Sequence, residues 1–454
     1  MLRIALSLAL GSLPWLLGCG DSAGPPPPPP AEPSVSARPA DPSPPGEPPP
    51  GLPPVDSHVR AQALARELVI VDGHIDVPWR LQQAKEAGEP VDDVTRATAG
   101  GDFDLPRARA GGLDAPFMSI YVSPEFEGKG AKRVADGLID LVEGIVARAP
   151  DQLALASSPR QVRANFAAGK ISLAMGMENG APLEGELANV AHFHGRGIRY
   201  ITLAHGKDNH IADSSYDPRH THGGLSPFGE QVVAEMNRVG VMIDVSHVSD
   251  EAFDDVLRLS AVPVIASHSS CRHFTPGWER NMSDEMIERL ASKGGVIQIN
   301  FGSDFLSAEL RDRRKVHAEA RAAYVDGLGL RPDSPEAEAA ARAYDQAHAP
   351  PRATVEAVAD HIEHVIALVG VDHVGLGSDF DGVGDSLPEG LRDVSQYPNL
   401  LRVLLERGHD REALEKIAGG NVLRVWQAVE DHAAAAQRSR PPGAVGGGAG
   451  LTDR

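Results

Sequence analysis

The chain has 454 residues, 42% of them hydrophobic and 23% charged, enough for one large α/β domain or two ordinary ones. A formal net charge of −20 argues against a nucleic-acid partner, because phosphate binding relies on clustered Lys and Arg. Only two cysteines are present, Cys19 and Cys271, and this rules out a disulfide framework.

Residues 1–18 read as an export signal, with a basic start at Arg3 and an apolar stretch too short to span a bilayer comfortably. The run Leu16-Leu17-Gly18-Cys19 resembles the lipobox of bacterial lipoproteins. By that resemblance Cys19 is the lipidated first residue of the mature chain, which is exported and anchored to a bilayer on the periplasmic or cell-surface side. Sixteen prolines fall among the thirty positions 25–54, so 19–55 is read as a disordered, extended linker. At ~3.1 Å per residue it holds a domain several tens of ångströms from the membrane. The folded body is expected over 56–432, followed by a Pro- and Gly-rich disordered tail, 433–454.

Within the body, short β-rich runs occur at 67–72, 116–122, 171–176, 199–204, 241–246, 262–267, 295–300 and 373–378. Amphipathic helical patterns such as 132–148 and 226–239 separate them. Strands alternating with helices imply parallel βα units, and eight of these predict a single closed (β/α)8 TIM-like barrel. A doubly wound open sheet is the alternative, but no G-x-G-x-x-G follows the first strand. Residues 303–350 form a charged, Ala-rich insertion after the seventh run. It reads as a solvated helical excursion, with a lid or a homodimer element near the mouth left open.

The ends of these runs carry the chemistry. The first is followed by His74 and Asp76, the third by Glu178, the fourth by His205, the fifth by His247, the sixth by His268 and the eighth by Asp379. In such a barrel all C-terminal strand ends meet on one face. His74 and Asp76 are two apart, so an extended chain turns both toward one side. His192, His194, His220, His222, His361 and His364 read as solvated surface, although the loop of His222 follows the fourth strand and could line the mouth.

Imidazoles with a shared carboxylate suit two divalent ions, zinc first. His74 and Asp76 would hold one, His247 and His268 the other, with Glu178 bridging. Such a pair shares a hydroxide whose pKa falls towards ~7. Asp379, not needed as a ligand, would move protons, and His205 would donate to the developing oxyanion.

The stretches "VDGHIDVPW", "GMENG", "RYITLAH", "GGLSPFGEQVVAEMNRVGVMIDVSHVS", "PVIASHSS", "RNMSDEMI", "GLGSDFDGV" and "GNVLRVW" resemble the membrane (renal) dipeptidase family of dinuclear zinc peptidases. The resemblance implies that His74, Asp76 and Glu178 bind one zinc, and that Glu178, His247 and His268 bind the second. It implies further that His205 contacts substrate, that Asp379 is the acid/base group, and that Arg280 pairs with the C-terminal carboxylate of a dipeptide. Acceptance of D-residues at that position is suggested by the same likeness. Two other readings stand beside it. One is a different amidohydrolase of lactonase or phosphotriesterase type, many of which use a bridging carboxylated lysine where this chain has Glu178. The other is a non-catalytic solute-binding lipoprotein, which has no reason to assemble such a site.

Overall fold

The computed structural model describes residues 56–331 and 334–438. The export signal, Cys19, the Pro-rich linker and the tail beyond 438 lie outside the described residues. Nine strands run in chain order as β1 (Ile70–Ile75), β2 (Leu113–Tyr121), β3 (Leu153–Leu155), β4 (Ile171–Glu178), β5 (Ile198–Thr202), β6 (Met242–Asp244), β7 (Ile265–Ser269), β8 (Val296–Ile299) and β9 (Val374–Leu376). All pairings between them are parallel, in the order β2-β1-β9-β8-β7-β6-β5-β4-β3, and β2 also pairs with β4. That last pairing closes eight strands into the expected (β/α)8 barrel. The ninth, β3, is unforeseen. Its three residues pair with the start of β4, Ile171 to Leu173, ahead of the stretch that pairs with β2, and are too few to show a periodicity in sequence.

Strands buried on both faces explain the unbroken apolar runs from which they were read. One residue or more from each of seven barrel strands, among them Val71, Phe117, Ala174, Tyr200, Met242, Ile265 and Val296, packs into a single cluster with Trp426 of the last helix. That cluster fills the lumen, with the helix Asn421–Arg438 stopping it. Tyr200 fits inside only because its neighbour on β4 is Gly176, where a Cβ would lie 1.9 Å from the phenol ring.

The predicted helices at 132–148 and 226–239 are observed as Ala131–Arg148 and Pro227–Val239. Ser226 caps the latter by accepting from the Gly229 N–H, ahead of Pro227 at the first helical position. The last helix continues past 432, the expected end of the folded body, because its apolar face still buries Ala433. The 303–350 insertion is helical, with segments Ser303–Leu306, Ala308–Gly327 and Pro335–Ala347. The middle one buries no residue, as its charged composition predicts. Among the described residues no helix is long and apolar enough to cross a membrane.

Candidate metal centre

Glu178, the last residue of β4, stands at the centre of the barrel mouth and divides its two oxygens between two groups. Oε2 lies 3.3 Å from His74 Nε2, itself 3.3 Å from Asp76 Oδ2. Oε1 lies 3.1 Å from His247 Nε2 and 3.3 Å from both His268 Nε2 and His205 Nε2. The side chains come from or just after β1, β4, β5, β6 and β7, so the convergence expected of a barrel face is present. The strand alternation expected to bring Asp76 beside His74 is absent. Asp76 is not extended but begins the helix Val77–Glu86 with φ −91° and ψ 25°, so it reaches His74 by a turn of the chain and not by strand alternation.

The donors fit a cation. His74 Nε2 is buried without a hydrogen-bond partner and faces two carboxylate oxygens. His247 Nε2 and His268 Nε2 lie 2.8 Å apart. Burial pushes both imidazoles well below their usual range, with Arg280 and His205 adding to this at His247 and His74 adding to it at His268. Two neutral rings therefore aim nitrogens at each other and at one carboxylate oxygen, an arrangement that a shared positive ion relieves. At the mouth three donor sets have ligand atoms within 4.8 Å of one another: His74, Glu178 and His268; Glu178, His205 and His247; and His74, Asp76 and Asp379. Burial opposes ionisation of Glu178, yet His74 and His205 together hold its carboxyl well below the ordinary range. At His74 burial is likewise outweighed, by Tyr200, Glu178 and Asp76, and the imidazole is pushed well up.

A cavity of about 640 Å³ opens above these groups, walled by Trp79, Tyr121, Tyr216 and Phe305 and floored by Glu178, His247 and Asp379. Burial, aided by Asp76 and Glu178, pushes the Asp379 carboxyl up to about 8 against the pull of His74 and Arg280. Arg280 is 2% exposed. It stands between His247 and Phe305, with Nη2 3.0 Å from His247 Nε2, and donates to Ser269 Oγ at 2.8 Å and to the His268 carbonyl at 2.8 Å, while its buried Nε–H has no acceptor.

The sequence model described as "Membrane dipeptidase (Peptidase family M19)" matches residues 58–440. The chain belongs to the membrane dipeptidase family. As a member it is a metallo-dipeptidase, a hydrolase. It is 35% identical to the dipeptidase tcpJ of Claviceps purpurea over 389 residues, 83% of this chain and 80% of that protein. Among solved structures it resembles the probable dipeptidase PvdM of Pseudomonas aeruginosa with TM-score 0.70 and 29% identity, covering 83% of this chain and 99% of that one. It also resembles a Rhodobacter sphaeroides metallo peptidase liganded with a phosphinate mimic of the dipeptide L-Ala-D-Ala, with TM-score 0.65 and 25% identity, over 80% of this chain and 99% of that one.

Within this family member, several groups at the site have no forerunner in the sequence reading. Asn300, just past β8, donates through Nδ2 to Asp379 Oδ2 at 2.7 Å. Tyr200 donates to the Gly73 carbonyl at 3.0 Å, so the 2.8 Å contact with His74 Nδ1 requires the imidazole to donate there, which leaves Nε2 for the centre. In the sequence Asn300 is marked only by its place at the end of the seventh run. Asp379, assigned away from the ligands, lies close enough to His74 and Asp76 to join them. His222 does not line the mouth: it is exposed, and its Nε2 lies 2.8 Å from the Asn209 carbonyl. His361, read as surface, is instead buried, with Nδ1 accepting from the Cys271 N–H and Nε2 near the Leu306 carbonyl. Its helix turns that face against the insertion's first segment, which periodicity alone does not reveal.

Proposed function

We propose that the chain hydrolyses dipeptides with two zinc ions, one held by His74, Asp76 and Glu178 and the other by Glu178, His247 and His268. The observation that carries this reading is the division of the Glu178 oxygens between the two sets of imidazoles. Divalent ions in such a cradle supply Lewis acidity and acidified water at neutral pH. The chain's own residues do the rest. Arg280 holds the dipeptide's free carboxylate through its fork of N–H groups, the unpaired Nε–H included, and so fixes the distance to the scissile bond. His205, on the cavity wall, donates to the oxygen on which charge develops. Asp379 takes a proton from the attacking water and passes it to the leaving amine. Its raised pKa suits both tasks near neutral pH, and Asn300 fixes the oxygen that does not carry the proton.

Likeness to the Rhodobacter sphaeroides peptidase bound to an L-Ala-D-Ala mimic supports acceptance of a D-residue at the C-terminal position. A kinetic screen of L-L and L-D dipeptides, with and without a chelator, tests the whole reading. The expected result is chelator-sensitive turnover of both classes, restored by zinc; the absence of turnover across the panel, or full activity in chelator, sinks it. Arg280→Ala is expected to raise KM for dipeptides by about 10–100-fold, the worth of one charged hydrogen-bonding group. An unchanged KM would remove Arg280 from substrate binding.

The chain is further proposed to work outside the cytoplasm on a lipid anchor at Cys19, supported by the lipobox-like Leu16–Cys19 run. Wild-type chain is expected in the detergent phase after phase partitioning and the Cys19→Ser variant in the aqueous phase. Identical partitioning would argue against the anchor.

A further inference from the structure

Besides the carboxylates of the centre, the barrel contains a buried carboxylate that the reaction does not use. Asp244, the last residue of β6, is fully buried. Its Oδ1 accepts from the backbone N–H of Ser246 at 3.0 Å and of Ser267 at 2.8 Å. Its Oδ2 accepts from Ser267 Oγ at 2.6 Å and Thr202 Oγ1 at 2.5 Å. All four partners are neutral donors, so the carboxylate is satisfied without a counter-charge.

The consequence lies one residue further on. A hydroxyl has a single proton, and that of Ser267 is given to Asp244. The 2.7 Å contact between Ser267 Oγ and His268 Nδ1 then requires the imidazole to donate. With Nδ1 protonated, His268 turns the lone pair of Nε2 toward Glu178 Oε1 at 3.3 Å and His247 Nε2 at 2.8 Å. The chain Asp244–Ser267–His268 thus fixes both the tautomer and the orientation of the ring, and the negative end increases the ring's basicity toward a cation. Thr202 touches the same oxygen of Asp244 but lies outside the relay, which makes it a natural control.

We propose that Asp244 is a positioning residue that acts through the Ser267 hydroxyl to hold His268 as a metal ligand. This rests on the metal reading above. The test uses the full chain loaded with zinc and, separately, with cobalt(II), comparing wild type with Ser267→Ala, Ser267→Thr, Asp244→Asn and Thr202→Val. The readouts are metal content under chelator competition and the visible spectrum of the cobalt form.

Ser267→Ala is expected to release an ion at a chelator concentration about 10–100-fold lower than wild type, the usual effect of losing an outer partner of a ligating histidine. Its cobalt spectrum should change with it. Ser267→Thr, which keeps the hydroxyl, should restore both readouts, Asp244→Asn should fall on the Ser267→Ala side, and Thr202→Val should behave as wild type. A merely structural role predicts instead that Ser267→Ala and Thr202→Val act alike, since each removes one buried hydroxyl from Asp244, and equal loosening by the two overturns the proposal. Wild-type retention in Ser267→Ala overturns this inference alone. A wild-type chain that takes up no ion overturns the metal reading and this inference together.

Discussion

Asp379→Asn is expected to lower kcat for dipeptide hydrolysis by about 10²–10⁴-fold, the range a positioned acid/base group supplies, with little change in KM. The side chain keeps its shape, and asparagine tolerates the left-handed backbone found here, φ 62°. Its amide can still meet Asn300 by presenting an oxygen to that Nδ2–H. What it loses is the exchangeable proton. Burial and the neighbouring carboxylates push the Asp379 carboxyl up to about 8 in the metal-free site, and bound cations draw it down from there, so one limb of the pH–rate profile below that value should report it and should vanish in the variant. Metal content must be measured alongside. A variant that keeps its ions but loses turnover fits the acid/base role. One that loses an ion places Asp379 among the ligands, as its closeness to His74 and Asp76 allows. Retention of more than about a tenth of wild-type kcat would dismiss it as a proton carrier.

Glu178→Gln should be more damaging. The amide offers one acceptor oxygen where the carboxylate offers two, and its NH2 group would point at one set of imidazole nitrogens. The two sets could then no longer share a ligand. The expected outcome is loss of bound metal at ordinary zinc concentrations and a fall in activity of ~10³-fold or more, beyond the 10–100-fold that outer-shell changes cost. Metal analysis of the purified variant checks it. Wild-type zinc content would show that the ions, if bound, are held without a bridge.

The strand-end residues were legible because the barrel converts position along the chain into position on a rim. Once His74, Glu178, His247 and His268 are seen to follow β-rich runs, their convergence follows from topology alone. The residues behind them were not legible. Tyr200, Asp244 and Ser267 sit inside runs and look like ordinary strand residues; their roles depend on which neighbour each faces across the sheet, and that register is not written in any one strand. Asn300 was missed because an amide at a strand end carries no titrating chemistry to draw attention to it. His361 reads as surface since a histidine on a helix is usually solvated, and only the docking of the insertion's first segment buries it. Arg280 was distinguished by family resemblance, not by its own spacing, because a guanidinium in a loop has no periodic signature.

Four of the six non-glycine residues with positive φ among the described residues stand at or beside the centre: Asn179, directly after Glu178, at 80°, His247 at 69°, Asp379 at 62° and Asp381, which lines the cavity, at 64°. Each such conformation costs on the order of 1–2 kcal/mol, which the rest of the barrel must offset. Glycine at His247 or Asp379 would relieve the cost while deleting the side chain that justifies it. Selection for heat resistance alone would accordingly drift toward the rim of this barrel and accumulate sturdier, silent proteins, so a thermostabilised version should be sought among substitutions remote from the mouth.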